Sequence, residues 1–299
     1  MQEIAAGVVV STEFRLINVG AIAAGSGLIC IDVPPYPEDA RRWRSWLLET
    51  FKQPIRLVVL TDSHRDRLPG LHWFEEARII AHDATYDVLA ALPGTFIEQT
   101  ADALSHHSEE RASFSGVRLR LPQVTFNDRM TAFVDDFPLP LTAMPGPTPG
   151  NVWVHLPDRR VVFTGDSVAI GQPPQMGQVR SKAWLNSLTR LRRPRFAADV
   201  IVPGRGPLLA DKGATQGLSE FVRYMRRRVQ YLYRAGHARA EVLNILPDLL
   251  AQFELPSEDV EAVQRRFKLG LESIYDEFRR ADDSEGGEVP PPSDDDEDD

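Results

Sequence analysis

The sequence predicts a mixed fold of α/β and α+β character with a helical extension at the end. Three observations predict it. Strand-like and helix-like segments alternate from Leu28 to Leu92, the pattern of β-α-β units. A second run of short strands lies between Gly116 and Thr164. From Leu218 onward the apolar residues recur at helical spacing. At 299 residues the chain can bury a full core as one large domain, or as a domain with an appendage.

In order, Gly7 to Ser11, Phe14 to Asn18 and Leu28 to Val33 read as strands separated by small and turn residues. Cys30, the single cysteine, sits inside the apolar run Leu28 to Ile31 and is expected to be a buried thiol with no internal disulfide. Pro37, Glu38 and Asp39 start a helix whose Trp43, Trp46, Leu47 and Phe51 recur at helical spacing until Pro54. That aromatic stripe is read as core.

Leu57 to Leu60 has the look of a strand buried on both faces, and it ends in the polar cluster Thr61-Asp62-Ser63-His64-Arg65-Asp66-Arg67. In open α/β arrangements ligands bind at such strand ends. Arg78 to Ala81 is strand-like and Asp83 to Leu92 helix-like. The pattern weakens from Pro93 to Gly116, where His106 and His107 are read as part of an exposed loop. His72, His82, His155 and His237 are isolated and read as structural or surface residues.

Gly116 to Leu121, Val124 to Phe126, Met130 to Val134, Leu139 to Met144, Val152 to His155 and Val161 to Thr164 are the second run of strands, with Pro157-Asp158 turning a hairpin. Trp184 to Leu191 is a short helix and Val200 to Val202 a strand. Leu218 to Leu232 marks a long amphipathic helix, and Val242 to Leu250 a second one, interrupted near Pro247. Val260 to Phe278 marks a third, with Ser257 as N-cap and Glu258 and Asp259 favouring its dipole.

The formal charge of −9 misleads, because Asp282 to Asp299 holds ten acidic residues and no basic one. Without them the body carries +1, which gives no nucleic-acid footprint. The basic patches Arg190 to Arg195 and Arg223 to Arg228 are read as solvated helix faces and ends. No secretory signal opens the chain and no apolar run approaches a membrane span, so no membrane partner and a cytoplasmic location are expected. The tail from Ala281, with Gly286-Gly287, three prolines and D-D-D-E-D-D, is expected to be disordered.

Four motifs in register carry a family resemblance. Thr61, Asp62, His64, Asp66 and Arg67 resemble the T-H-x-H-x-D-H signature of the metallo-β-lactamase fold superfamily. Pro145 to Gly150 (P-G-P-T-P-G) is similar to its P-G-H-T-P-G turn, Phe163 to Asp166 to its F-T-G-D, and Val202 to Pro207 (V-P-G-R-G-P) to its V-P-G-H-G-P. The resemblance implies a four-layer αββα sandwich over residues 1–212, a C-terminal helical extension over residues 213–280 that packs on it or forms a homodimer contact, and the tail at residues 281–299.

It also implies where metal ligands would stand: positions 62, 64, 66, 67, 147, 166 and 205. His64, Asp66 and Asp166 match the pattern, whereas Asp62, Arg67, Pro147 and Arg205 depart from it. Pro147 offers no ligand, and arginine stays protonated and cannot coordinate. Asp62, Asp66 and Asp166 against Arg67 and Arg205 leave −1 with neutral His64 and zero with protonated His64, so the cluster balances without metal. Bidentate pairing of the arginines with Asp66 and Asp166 is expected. A divalent ion would sit near two fixed cations, a repulsion of ~4 kcal/mol at short range in an intermediate dielectric.

The leading reading is therefore a pseudoenzyme, a non-catalytic or ligand-binding member with a degenerate metal site, no metal cofactor and a small anionic ligand on Arg67 and Arg205 as a candidate partner. The alternative is a metal-dependent hydrolase with one Zn²⁺ or other divalent ion on Asp62, His64 and Asp166. Asp66 is then the candidate catalytic residue, and the pocket comprises Asp62, His64, Asp66, Arg67, Asp166 and Arg205.

Overall fold

A computed structural model describes residues 1–257 and 259–285. Its first sheet has seven strands in sequence order: β1 (Gln2–Ala5), β2 (Val8–Ser11), β3 (Val19–Ala24), β4 (Gly27–Ile31), β5 (Ile55–Val59), β6 (Arg78–His82) and β7 (Val124–Phe126). The pairs up to β3·β4 are antiparallel, and those from β4·β5 to β6·β7 are parallel. Parallel pairs need crossovers. Helix α1 (Pro37–Phe51) supplies one, and α2 (Asp83–Ala90), α3 (Phe96–Leu104) and α4 (Ser108–Ser113) lie between β6 and β7.

The second sheet has the order β12-β11-β10-β9-β8, built from β8 (Arg129–Val134), β9 (Phe137–Ala143), β10 (Val152–Leu156), β11 (Val161–Ala169) and β12 (Val200–Arg205). Only its β11·β12 pair is parallel, joined through α5 (Ser181–Leu191). The extension comprises α6 (Gln216–Arg234), α7 (Leu246–Leu250) and α8 (Val260–Glu285).

Strand periodicity sorts the core into layers. Ile29 and Ile31 of β4 face the second sheet, meeting Leu139, Val152 and Phe163, while Leu28 and Cys30 face Trp43 and Leu47 of α1. Behind the second sheet, Val162 and Ile201 pack with Trp184 of α5, Val222 and Met225 of α6, and Phe267 and Ile274 of α8. The order is helix, sheet, sheet, helix, and the extension's apolar faces close the fourth layer. The sheets approach closely at Gly20, where a Cβ would fall 2.2 Å from Phe163 Cε1.

Helix α1 forms as its residues dictate: Pro37 occupies the first turn with Glu38 and Asp39, and Lys52 ends it in the left-handed region (φ 53°). Trp43 and Trp46 stack at 5.4 Å.

Several elements differ from the sequence expectation. Phe14 to Asn18 is a loop, not a strand: Leu16 has φ 73°, and the loop's polar groups turn toward the second sheet, with Asn18 N donating to Gly204 O at 2.8 Å. The strand is the small-residue run after it, β3, whose size suits the close sheet approach. Gly116 to Leu121 forms no strand, because the segment is held from the side by Arg120, which donates to the carbonyl of Phe74 at 2.5 Å and to that of Ala77 at 3.2 Å.

The weakly patterned stretch before it folds into α3 and α4, and His106 and His107 are exposed there. Pro247 sits in the first turn of α7 rather than interrupting a helix. At α8 the helix begins at Val260, with Val263 N donating to Asp259 O, and Glu258, expected to favour its dipole, lies outside the described residues. Helix α8 runs to Glu285, into the stretch assigned to the tail. The remainder of that tail, residues 286–299, lies outside the described residues.

Candidate functional site

The motif residues converge at the carboxyl ends of strands from both sheets. Asp32 follows β4 with φ 53°, Asp62 follows β5, and a 3₁₀ turn, Arg65–Arg67, carries Asp66 and Arg67 inward. From the second sheet, β11 shifts register around Gly165 (φ 54°) and so aims Asp166 inward, while β12 ends in Arg205.

Arg67 is the hub and is fully buried. Its Nε donates to Asp62 Oδ1 at 2.9 Å, Nη1 to Asp32 Oδ2 at 2.7 Å and Nη2 to Asp166 Oδ1 at 2.6 Å. Arg205 spans Asp166 and Asp66: Nε donates to Asp166 Oδ1 at 3.1 Å, and Nη2 to Asp166 Oδ2 at 3.0 Å and to Asp66 Oδ1 at 2.8 Å. Its Nη1 donates to Leu16 O at 2.7 Å. Gly204 makes the approach feasible, since a Cβ there would fall 2.2 Å from Asp166 Oδ1 and 2.5 Å from Arg67 Nη2.

The expected Asp–Arg pairs are thus present with a different distribution. Arg67 spreads over three carboxylates rather than forking onto one, and Asp66 belongs to Arg205. Arg67 and Arg205 are buried, and every nitrogen of both guanidinium groups donates at least once within the protein, so an anion there would compete with the carboxylates for the remaining N–H groups. Pro147 is buried in its turn and its carbonyl accepts from Gly177 N at 3.3 Å.

Three participants were missed by sequence reasoning. Asp32 accepts from Thr61 N at 2.9 Å and Thr61 Oγ1 at 2.7 Å as well as from Arg67. Its signal was there, a lone acid at the end of the apolar run Leu28 to Ile31. Asn151 reaches Asp62 Oδ2 at 3.4 Å and accepts from Thr148 N at 3.0 Å, linking the proline-rich turn to the cluster. Arg266 of α8 lies within electrostatic range of Arg205, Asp66 and Asp166, and its Nε is buried with no hydrogen-bond partner. Nothing in an amphipathic helix distinguishes such an arginine beforehand.

The charge count changes accordingly. Asp32, Asp62, Asp66 and Asp166 bring −4, against +2 from Arg67 and Arg205. His64 Nδ1 lies 3.0 Å from Asp62 Oδ1 and 2.8 Å from Asp166 Oδ2. Burial alone would lower the affinity of this imidazole for a proton, but Asp62 and Asp166 outweigh it and raise the pKa to about 10. Charged His64 leaves −1, and Arg266 nearby brings the group to balance. Burial likewise works against ionising Asp166 and Asp62. Arg205 and Arg67 nonetheless hold Asp166 well below the usual carboxylate range, and Arg67 and His64 lower Asp62. Asp32 goes the other way, pushed by burial to about 6 in spite of Arg67.

Asp62, His64 and Asp166 offer ligand atoms that all lie within 4.8 Å of one another. The set fits a metal poorly. Asp62 Oδ1 and both Asp166 oxygens already accept from guanidinium nitrogens. Separations of 2.8 and 3.0 Å from His64 Nδ1 are contact distances between paired groups, shorter than the ~3.3 Å that bonds of ~2.0 Å at tetrahedral angles impose. One feature favours a ligand: neither ring nitrogen of His64 is aligned for a hydrogen bond, although both are buried.

The chain belongs to the metallo-beta-lactamase superfamily, whose family model matches residues 13–206. It is 23% identical over 243 residues to the linear primary-alkylsulfatase of Pseudomonas sp. (strain ATCC 19151), covering 71% of this chain and 45% of that protein. Its structure is similar to that of a metallo-beta-lactamase family protein from Thermus thermophilus, with a TM-score of 0.64, 18% identity and coverage of 94% and 95% of the two chains. It is also similar to the stereoselective inverting sec-alkylsulfatase Pisa1 from Pseudomonas sp., with a TM-score of 0.65, 17% identity and coverage of 97% and 51%. The chain therefore spans about half the length of the sulfatases it resembles. Among the described residues no helix is long and apolar enough to cross a membrane.

Proposed function

We propose that this chain is a metallo-β-lactamase-fold protein whose metal pocket has been replaced by an ion-pair cluster, and which serves as a non-catalytic or ligand-binding member of its superfamily. The observation that carries this reading is Arg67. Its guanidinium occupies the acceptor oxygens of Asp62 and Asp166, two of the three groups that could hold an ion. A fixed cation there supplies the charge compensation that a divalent metal would otherwise provide, and it repels one. A small anionic ligand would then meet Arg266 at the edge of the cluster rather than Arg67 or Arg205.

The Nε2 of His64, buried without a partner, favours a second reading, a mononuclear metal-dependent hydrolase on Asp62, His64 and Asp166 with Asp66 at hand for proton transfer. The likeness to the alkylsulfatases makes sulfate esters the first substrates to try under that reading. The buried thiol of Cys30 fits a cytoplasmic location under either. The exposed Tyr231 and Leu269 would contribute to a homodimer through the extension.

Elemental analysis of protein purified without chelators tests the proposal. Zinc, iron and manganese far below one equivalent, with no rise in thermal midpoint on adding Zn²⁺, are the expected result. A near-stoichiometric metal content would overturn it in favour of the hydrolase.

A further inference from the structure

The two basic stretches and the acidic segment take no part in the ion cluster. The basic stretches meet in space. Arg192, at the end of α5, donates to Ser219 Oγ of α6 at 2.6 Å, and Arg223, one turn on, lies close enough to destabilise its charge beyond the effect of burial. Arg223 and Arg227 sit four residues apart on α6, so they share a face. Both are exposed, and among the described residues neither meets a carboxylate. With Leu185, Glu220, Arg226 and Gln230 they line a groove of about 330 Å³. Arg226 turns away from it to Glu277 of α8 at 2.9 Å.

We propose that this groove is the docking surface for the acidic segment 294–299 of the same chain. Charge complementarity is the first argument: residues 286–299 contain seven acidic residues and no basic one, whereas the groove presents unpaired arginines. Reach is the second. The Arg226–Glu277 pair pins α8 beside the groove. Glu285 lies eight residues further along the helix, ~12 Å away along its axis. Nine more residues lead to Asp294, enough for up to ~30 Å of chain. Gly286 and Gly287 follow Glu285 in the sequence and would permit the chain to turn back. Each exposed pair is weak, but the tether supplies an effective concentration on the order of millimolar, and the contact is salt-dependent.

The test uses the full chain with Ser293→Cys carrying a nitroxide; Cys30 is fully buried and stays unlabelled. Attenuation of amide signals around Leu185, Arg223 and Arg227 is expected at low ionic strength. It should be independent of protein concentration and abolished by about 0.5 M salt, where screening is strong. Arg223→Gln with Arg227→Gln, both surface changes that leave the thermal midpoint in place, should abolish it as well. No attenuation at low salt, attenuation centred elsewhere, or attenuation surviving the double substitution would overturn the proposal. Attenuation growing with protein concentration would overturn it too, making a second copy the occupant. An unattenuated groove whose signals shift on adding heparin would make it a surface for an external polyanion.

Discussion

Arg67 Nη2 donates to Asp166 Oδ1 at 2.6 Å across 99 positions of sequence, joining the strand end of one sheet to the bulged strand of the other. Where the superfamily pattern places metal ligands on the two sheets, this chain joins them with a guanidinium. The pair is buried, so removing one side is costly in a way that an exposed bridge would not be.

Arg67→Ala should therefore destabilise the protein by ~3–5 kcal/mol, because it leaves Asp32, Asp62 and Asp166 without their shared cation. Denaturant unfolding of wild type and variant, with and without Zn²⁺, measures it. A change below ~0.5 kcal/mol, the range of ordinary surface substitutions, together with zinc-dependent stabilisation of the wild type, would refute the ion-pair reading.

Arg67→His replaces the cation by a ligand. The variant should gain a zinc-dependent, chelator-reversible rise in thermal midpoint that the wild type lacks, since imidazole can coordinate where guanidinium cannot. Equal responses of both proteins to zinc would show that Arg67 does not control metal entry.

The imidazole of His64 gives a pH signature whose sign is fixed. Its pKa is about 10 in the folded protein, above the ~6.5 of an unfolded chain. Its charged form thus stabilises the fold fully below about pH 6.5, and that contribution fades as the pH rises towards 10. Urea midpoints of wild type and His64→Gln, both with chelator, should differ most near neutrality and converge in the alkaline range. A constant difference over that range would mean that the carboxylates do not hold the ring charged.

Cys30 is buried in β4 between Ile29 and Ile31, and burial pushes its thiol pKa up. A thiol reagent at neutral pH should react slowly with native protein and rapidly once urea unfolds it, because the thiolate is the reactive form. Fast native labelling would contradict the packing of the first sheet against α1.

Much of this fold could be read from residues with strong local meaning. Pro37, Glu38 and Asp39 announce α1, and the four turn motifs fix the order of the sandwich. Phe14 to Asn18 misled because an alternating apolar pattern also suits a loop whose apolar side chains, such as Phe14 and Ile17, plug the first sheet's core. The following V-G-A-I-A-A looked like a linker, yet small residues are what the inter-sheet contact at Phe163 requires. Within the site, motif residues were legible and their partners were not. Asp32 and Arg266 enter the cluster through tertiary packing, 30 residues before Asp62 and 61 residues beyond Arg205, and no local pattern carries that distance.

The ion cluster also bears on the rate at which the molecule comes apart. Its bonds join residues 35, 99 and 139 apart in sequence, and they require both sheets to be in place before the guanidinium groups can be shared. Contacts of that span close late. Substitutions in the cluster should therefore speed unfolding more than they slow refolding. A fastening made of side-chain ion pairs ties the lifetime of the native state to pH and to the cluster's own residues.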